Sequence, residues 1–245
     1  MQKDSILNII LVGVGLCIVC GAVISTVAVS LRDQQEQNVI FDQQSKIIDA
    51  ARLLEVYPSS QEALASIEEV VVNLNDGQPS GIPPQQYDLD SILRDPSQHT
   101  VLNDSEDIAM ISVRENLSKV YIEYRNNELK TLILPVRGYG LWGTLYGYLA
   151  LDSDLNTIVG LEFYKHKETP GLGAEVDNPN WKKLWNGKKV FDENGLVQIS
   201  VIKGFSNPQS TDYSYEVDGL SGATITSKGC LLYTSDAADD RGCGG

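Results

Sequence analysis

Apolar and polar residues alternate along this chain in three regimes. From Ile6 to Leu31, "ILNIILVGVGLCIVCGAVISTVAVSL" carries no charge, and only Asn8, Ser25, Thr26 and Ser30 are markedly polar. At 1.5 Å per residue, about 20 apolar residues cross the hydrocarbon core of a bilayer, so this run predicts a membrane-spanning helix with some tilt. It is longer than the roughly 7–15 apolar residues of a cleaved signal peptide, and charged, helix-patterned sequence follows it. A retained anchor is expected. Its Gly and Ala residues permit close packing against partner helices, as in a subunit of a membrane complex. Charge leaves the orientation open, because Lys3 precedes the run while Arg32, Lys46 and Arg52 follow it.

In the second regime the period is helical. Val39, Ile40, Ile47, Ile48, Ala51 and Leu54 recur at helix spacing among Gln and Asp, predicting an amphipathic helix over 33–56. "PSSQEALASIEEVVVNL" opens like another helix, with Ser ahead of early acids. "NDGQPSGIPPQQYD" is rich in Gly and Pro and predicts a loop. From about Asp107 the period drops to two. "IAMISV", "VYIEYR", "TLILPV", "TLYGYLAL" and "IVGLEFY" predict strands, separated by turn signals such as "RNN" and "DSD". "NPNWKKLWNGK" predicts a short helix with Trp181 and Trp185 one turn apart, and "LVQISVIKG" a further strand. The expected fold class is α+β: a short tail over 1–5, a transmembrane helix over 6–31, a helical stalk or subdomain over 32–106, and an antiparallel-sheet domain over 107–229.

Composition changes this picture little. The 245 residues are 42% hydrophobic and 21% charged, which fits a folded protein. The net charge of −14 argues against a nucleic-acid partner, because phosphates need Lys and Arg to neutralise them. Cysteine is informative by position: Cys17 and Cys20 lie in the apolar run, Cys230 and Cys243 near the end, and none lies between. The sheet domain therefore contains neither a disulfide framework nor a thiolate metal site. Of the two histidines, His99 falls in a polar loop, where it is expected to be solvated, and His166 has no second His near it, so metal ligation is not expected. No Gly-x-Ser-x-Gly elbow, dinucleotide fingerprint or P-loop is present.

Four loops remain as carriers of chemistry: "RGYGLWG" (137–143), "HKETPGLG" (166–173), "IKGFS" (202–206) and "DGLSGATITS" (218–227). Glycines let backbone N–H groups approach a ligand, and Trp142 or Leu172 could cover a flat ring. The last loop offers Ser221, Thr224, Thr226 and Ser227 as hydroxyls beside the small residues Gly222 and Ala223, where a phosphoester would meet backbone donors. A plain turn and a modification site both fit these residues.

"DGLSGAT" resembles the flavinylation motif of covalent-FMN proteins, Asp-x-x-Ser/Thr-Gly-Ala-Thr. With the single anchor, "GLWG" and "KHKETPGLGAEVDNPNWKKLWNGK", the chain resembles the C-subunit family of the Na⁺-translocating NADH:quinone oxidoreductases, from its start to about Gly229. The resemblance implies FMN joined through a phosphoester to Thr224 rather than Thr226, with Asp218, Ser221, Gly222 and Ala223 completing the motif. It implies that Glu168, Thr169, Pro170, Gly171, Leu172 and Gly173 lie against the isoalloxazine, with Leu141 and Trp142 nearby. It further implies a flavin transferase using FAD as donor, the other subunits of a respiratory complex as partners, and a domain on the periplasmic side of the bacterial inner membrane. The implied role is an electron relay between NADH and ubiquinone, with no catalytic acid, base or metal of its own. Two other readings stand beside it: the homologous FMN subunit of a ferredoxin:NAD⁺ oxidoreductase complex, and a membrane-anchored FMN sensor. The longer N-terminal region and "NPNWKKLW" separate the chain from the first. Residues 230–245, "CLLYTSDAADDRGCGG", continue no earlier pattern and resemble a translated sequencing adapter, so a non-native tail is expected there.

Overall fold

The structure is a computed structural model of the chain that describes residues 6–103, 107, 109–223 and 226. Its contacts separate two units, Met1–Gln43 and Gln44–Gly245. The expected tail over 230–245, with Cys230 and Cys243, lies outside the described residues.

Helix α1 (Ile6–Ala50) carries the apolar run and the segment after it as one uninterrupted helix. No Pro or Gly breaks it between Leu31 and Gln44, and an Arg32–Glu36 ion pair at 3.0 Å bridges one turn where the charges begin. Thr26 and Ser30 return their hydroxyls to the carbonyls of Ala22 and Val27, so neither needs water. Among the described residues, α1 is the one helix long and apolar enough to cross a membrane. Its large side chains, Ile10, Leu16, Val19 and Val27 among them, are exposed, as contact with lipid requires.

The amphipathic stretch is shorter than its sequence spacing predicts. Ile47, Ile48 and Ala51 are buried, but Val39, Ile40 and Leu54 are exposed. Burial begins with the last turn of α1, which packs on the sheet in the second unit. Arg52 then adopts a left-handed conformation (φ 52°) and a 3-10 turn, Leu53–Glu55, reverses the chain.

Helix α2 (Ser60–Ala65) begins as predicted, with the Ser59 hydroxyl accepting the Glu62 N–H. The rest of that expected helix is a strand. β1 (Ile67–Asn73) pairs antiparallel with β4 (Leu117–Arg125), because its Val70–Val72 run fits a pleated ladder better than a solvated helix. Residues 32–106 are thus not wholly helical. Helix α3 (Leu89–Arg94), capped by Asp88, leads to β2 (His99–Val101), which pairs with β3 (Val113–Glu115). His99 is half-buried in β2, not solvated in a loop. The expected strand "IAMISV" yields only its last residue to β3. The Asp107 carboxylate accepts the N–H groups of Ile111 and Ser112 and bends the chain into a turn with Met110 and Ser112 at positive φ.

β4 (Leu117–Arg125), β5 (Glu128–Tyr139), β6 (Thr144–Asp152) and β7 (Ile158–Lys165) form an antiparallel meander, and the sheet order is β1-β4-β5-β6-β7. Asn126 and Asn127, both at positive φ, close the β4–β5 hairpin. Both faces are covered. Val136, Leu145, Leu149, Leu161 and Phe163 pack with Trp181, Trp185 and Val217 on one face. Tyr121, Ile133, Tyr148 and Ala150 pack with Ile47, Ile48 and Leu53 on the other. Helix α4 (Pro179–Lys182) and the 3-10 turn after it supply the two tryptophans. The expected strand "LVQISVIKG" is reduced to β8 (Ser200–Ile202), which pairs parallel with β9 (Glu216–Asp218) outside the main sheet.

Two buried carboxylates fix the sheet's surroundings. Glu123 accepts from Tyr57, Arg125 and Thr131, joining the turn after α1 to β4 and β5. Glu115 accepts from Arg137 at 2.6 Å, joining β3 to the end of β5.

The end of α1 touches the sheet backbone directly, since a Cβ on Gly160 would collide with the Ala50 carbonyl. Gly160→Ala is expected to cost about 1–3 kcal/mol through this overpacking, read as a lower urea midpoint at unchanged m-value. A midpoint equal to wild type would mean that α1 does not end there.

Candidate functional site

Three connections meet at one end of the domain. Gly140–Gly143 joins β5 to β6, His166–Leu172 follows β7, and Gly219–Ala223 follows β9. Glu168 holds them together. Its backbone belongs to the second connection and its side chain is buried. Oε1 accepts the Trp142 N–H at 2.9 Å, and Oε2 accepts the Thr226 hydroxyl at 2.5 Å. Hydrogen bonds to an ionised acceptor are worth about 1.5–3 kcal/mol each, roughly twice a neutral pair. The carboxylate fits only because its neighbours lack side chains: a Cβ on Gly173 would run into Oε2 and Thr226 Oγ1, and one on Gly140 would lie 2.6 Å from Oε1.

The loop around Glu168 is a compact turn. The Thr169 carbonyl accepts both the Leu172 and Ala174 N–H groups at 3.1 Å, and a 3-10 helix, Gly173–Asp177, follows. Thr169, Pro170, Gly171 and Leu172 are thereby exposed while Gly173 is buried. Leu141 and Trp142 are exposed too, Trp142 at 63%. Gly222 lies beside Leu172, since a Cβ on it would come 3.5 Å from Leu172 Cδ2. The polar links lie underneath, and large apolar side chains stand above them.

Asp218 anchors the third connection from its other end. Oδ1 accepts the Ser206 N–H and hydroxyl at 2.7 Å, and its carbonyl accepts Trp181 Nε1–H at 2.7 Å. Lys188 fastens the preceding segment. Its ammonium donates to the Tyr213 carbonyl at 2.6 Å and lies 3.5 Å from the centre of the Tyr213 ring. Burial pushes the Lys188 pKa down, against the opposing pull of Asp218 and Glu216.

Of the expected residues, the structure brings Glu168, Gly173, Trp142, Leu172 and Gly222 together. Ala223 is buried and Ser221 exposed in the same connection, and Asp218 sits at its base. Thr224 lies outside the described residues, as does Ser227. Thr226, which the resemblance sets aside as an attachment point, is buried and bonded to Glu168. Trp181 and Ser206 were visible in the sequence only as parts of a helix and a loop. No spacing rule connects them to Asp218, which they reach through tertiary packing. No cluster of metal-ligating side chains occurs among the described residues.

The FMN-binding domain family matches residues 140–239, a span that holds all three connections. The C subunit of the Na⁺-translocating NADH-quinone reductase from Pseudomonas aeruginosa is 45% identical over 233 residues, covering 93% of this chain and 89% of that protein. The chain belongs to this family of C subunits. The Vibrio vulnificus member is 41% identical over 229 residues, again covering 93% of this chain and 89% of the relative. The crystal structure of Shewanella oneidensis NqrC superposes with a TM-score of 0.70 at 30% identity, over 78% of this chain and 88% of that one. The crystal structure of the Parabacteroides distasonis member gives 0.61 at 31% identity, over 85% and 94%. The α+β fold and the antiparallel sheet of the C-subunit family are those that the sequence predicts.

Thr226→Val keeps the shape of the buried side chain and removes its hydroxyl. A loss of about 1.5–3 kcal/mol of unfolding free energy is expected, since the Glu168 carboxylate loses a donor inside the protein. Ser221→Ala, at an exposed position, should stay within about 0.5 kcal/mol of wild type. Equal denaturant midpoints for the two variants would refute the anchoring role of Thr226.

Proposed function

We propose that this member of the C-subunit family is a membrane-anchored electron relay that carries FMN on Thr224 through a phosphoester. Attachment forms a bond between Thr224 Oγ1 and the FMN phosphorus. It breaks the pyrophosphate of FAD, and AMP leaves as the hydroxyl proton departs; a flavin transferase performs this step. FMN, when bound, supplies reversible uptake and release of electrons. The route runs from one redox centre of the complex to the flavin of a neighbouring subunit, between NADH and ubiquinone. The domain faces the periplasm in this reading. Ile6–Leu31 contains no Asp, Glu, Lys, Arg or His, so Na⁺ passage is a property of the assembly.

The chain's own residues fit such a cofactor. Leu141, Trp142 and Leu172 are exposed apolar groups among the described residues, on connections stitched together by Glu168. An isoalloxazine is flat and largely apolar, and it suits such side chains. In sequence Thr224 follows Ala223, which is buried, and stands two residues before Thr226, which donates to Glu168. The approach of Gly222, inside the Ser-Gly-Ala-Thr motif, to the exposed Leu172 is the observation that carries this reading. The relatives named above are subunits of the NADH-quinone enzyme, which favours this role over a ferredoxin-linked complex or a sensor.

Mass spectrometry of the protein made together with the transferase is expected to find an FMN-sized adduct on the peptide containing Thr224. Thr224→Ala should give a folded protein with no in-gel flavin fluorescence, and Thr226→Ala should keep it. Fluorescence that survives in Thr224→Ala would sink the assignment.

A further inference from the structure

His166 and Asp177 bracket the loop that contains Glu168, and a hydrogen-bonded link closes it. The Glu168 backbone N–H donates to His166 Nδ1 at 3.2 Å, and His166 Nε2 lies 2.7 Å from Asp177 Oδ2. An amide N–H can only donate, so Nδ1 is an acceptor and carries no proton. Nε2 then holds the ring's proton and donates it to Asp177. The contact with Asp177 is then a hydrogen bond donated to a carboxylate. The other Asp177 oxygen is buried with no hydrogen-bond partner among the described residues, so His166 is what holds that carboxylate. The ring is itself largely buried, at 17% side-chain exposure.

The direction of the link matters for the site. The His166-to-Glu168 bond fixes the backbone of the residue whose carboxylate receives Trp142 N–H and the Thr226 hydroxyl. Displacing the Glu168 backbone would move both acceptor oxygens, and with them the contacts to Trp142 and Thr226. We propose that His166, oriented by Asp177, is a positioning residue for the flavin site: it sets the Glu168 backbone and so the seating of the flavin-bearing segment. This rests on the flavin reading above, while the His166–Glu168 link is independent of it.

Three substitutions separate positioning from bulk. In His166→Asn, Oδ1 occupies the place of Nδ1 and can accept the N–H two residues on, as in an Asx turn. His166→Gln retains a donor directed at Asp177 but loses that short-range acceptor, and His166→Ala loses both. The full chain, made with the transferase and held in detergent micelles, is measured in two ways: hydrogen exchange at the Glu168 amide, and the visible absorption band of the bound flavin. In the Ala and Gln variants the amide is expected to exchange about tenfold faster and the band to shift, whereas His166→Asn stays close to wild type in both. The proposal is overturned if His166→Asn behaves like His166→Ala. It is equally overturned if all three match wild type, or if the amide responds while the flavin band does not. Should His166→Ala fail to fold, the contrast between Asn and Gln still decides. Absence of the adduct from wild-type protein would instead defeat the flavin reading, leaving the amide measurement to judge the link alone.

Discussion

A single buried carboxylate, Glu168, accepts one hydrogen bond from the β5–β6 connection and another from the segment after β9. A charge removed from water costs several kcal/mol unless donors replace its hydration, so this position is stable only while both connections stay in place. The dependence is mutual. The buried Thr226 hydroxyl gains an acceptor in return, and a hydrogen bond to a charged group is worth about 1.5–3 kcal/mol. Loops that would otherwise move separately are held in one arrangement, with the polar atoms turned inward. The outward side is left to Leu141, Trp142 and Leu172.

That arrangement in turn needs a rigid platform. Both faces of the sheet are covered, one by the end of α1 and the other by the Trp181–Trp185 segment, so β5, β6 and β7 end at fixed places. Trp181 connects the platform to the site, since its ring is buried in the core and its Nε1–H holds the Asp218 carbonyl. Arg137 does the same at the end of β5 by binding Glu115. Each connection that reaches Glu168 thus leaves a strand whose end is already tied to the core.

The parts of the fold that were legible in the sequence are those where one periodicity governs. The apolar run, the meander from Leu117 to Lys165 and the helix at Pro179 follow local pattern alone. Errors fell where a longer-range partner or a side chain overrode that pattern. Val70–Val72 suits helix or strand until β4 offers a ladder, and Asp107 converts the alternating "IAMISV" into a turn by capturing two N–H groups. In the site, Glu168, Leu172 and Gly222, which the family resemblance assigns to the flavin, lie at one end of the domain. What motif reading missed is the support: Thr226, Trp181, Ser206 and His166 act through contacts between residues far apart in sequence or through the tautomer of a ring. Neither leaves a spacing signal.

The exposure of the site gives a physical reason for a tether. Leu141, Trp142 and Leu172 are each about half exposed or more, so a ring laid on them would remove only part of its surface from water. At about 25 cal/mol per Å² of apolar area, a shallow platform of this kind holds a small ligand weakly. Enclosing the ring would strengthen binding but would also bury the edge that the proposed relay needs exposed. A covalent link separates the two demands. It raises the effective concentration of the cofactor to the millimolar range or above without new contacts, and the ring edge stays accessible. The proposed covalent link and the open apolar surface would then be two parts of one solution, with Glu168 holding the connections that carry Trp142 and Thr226.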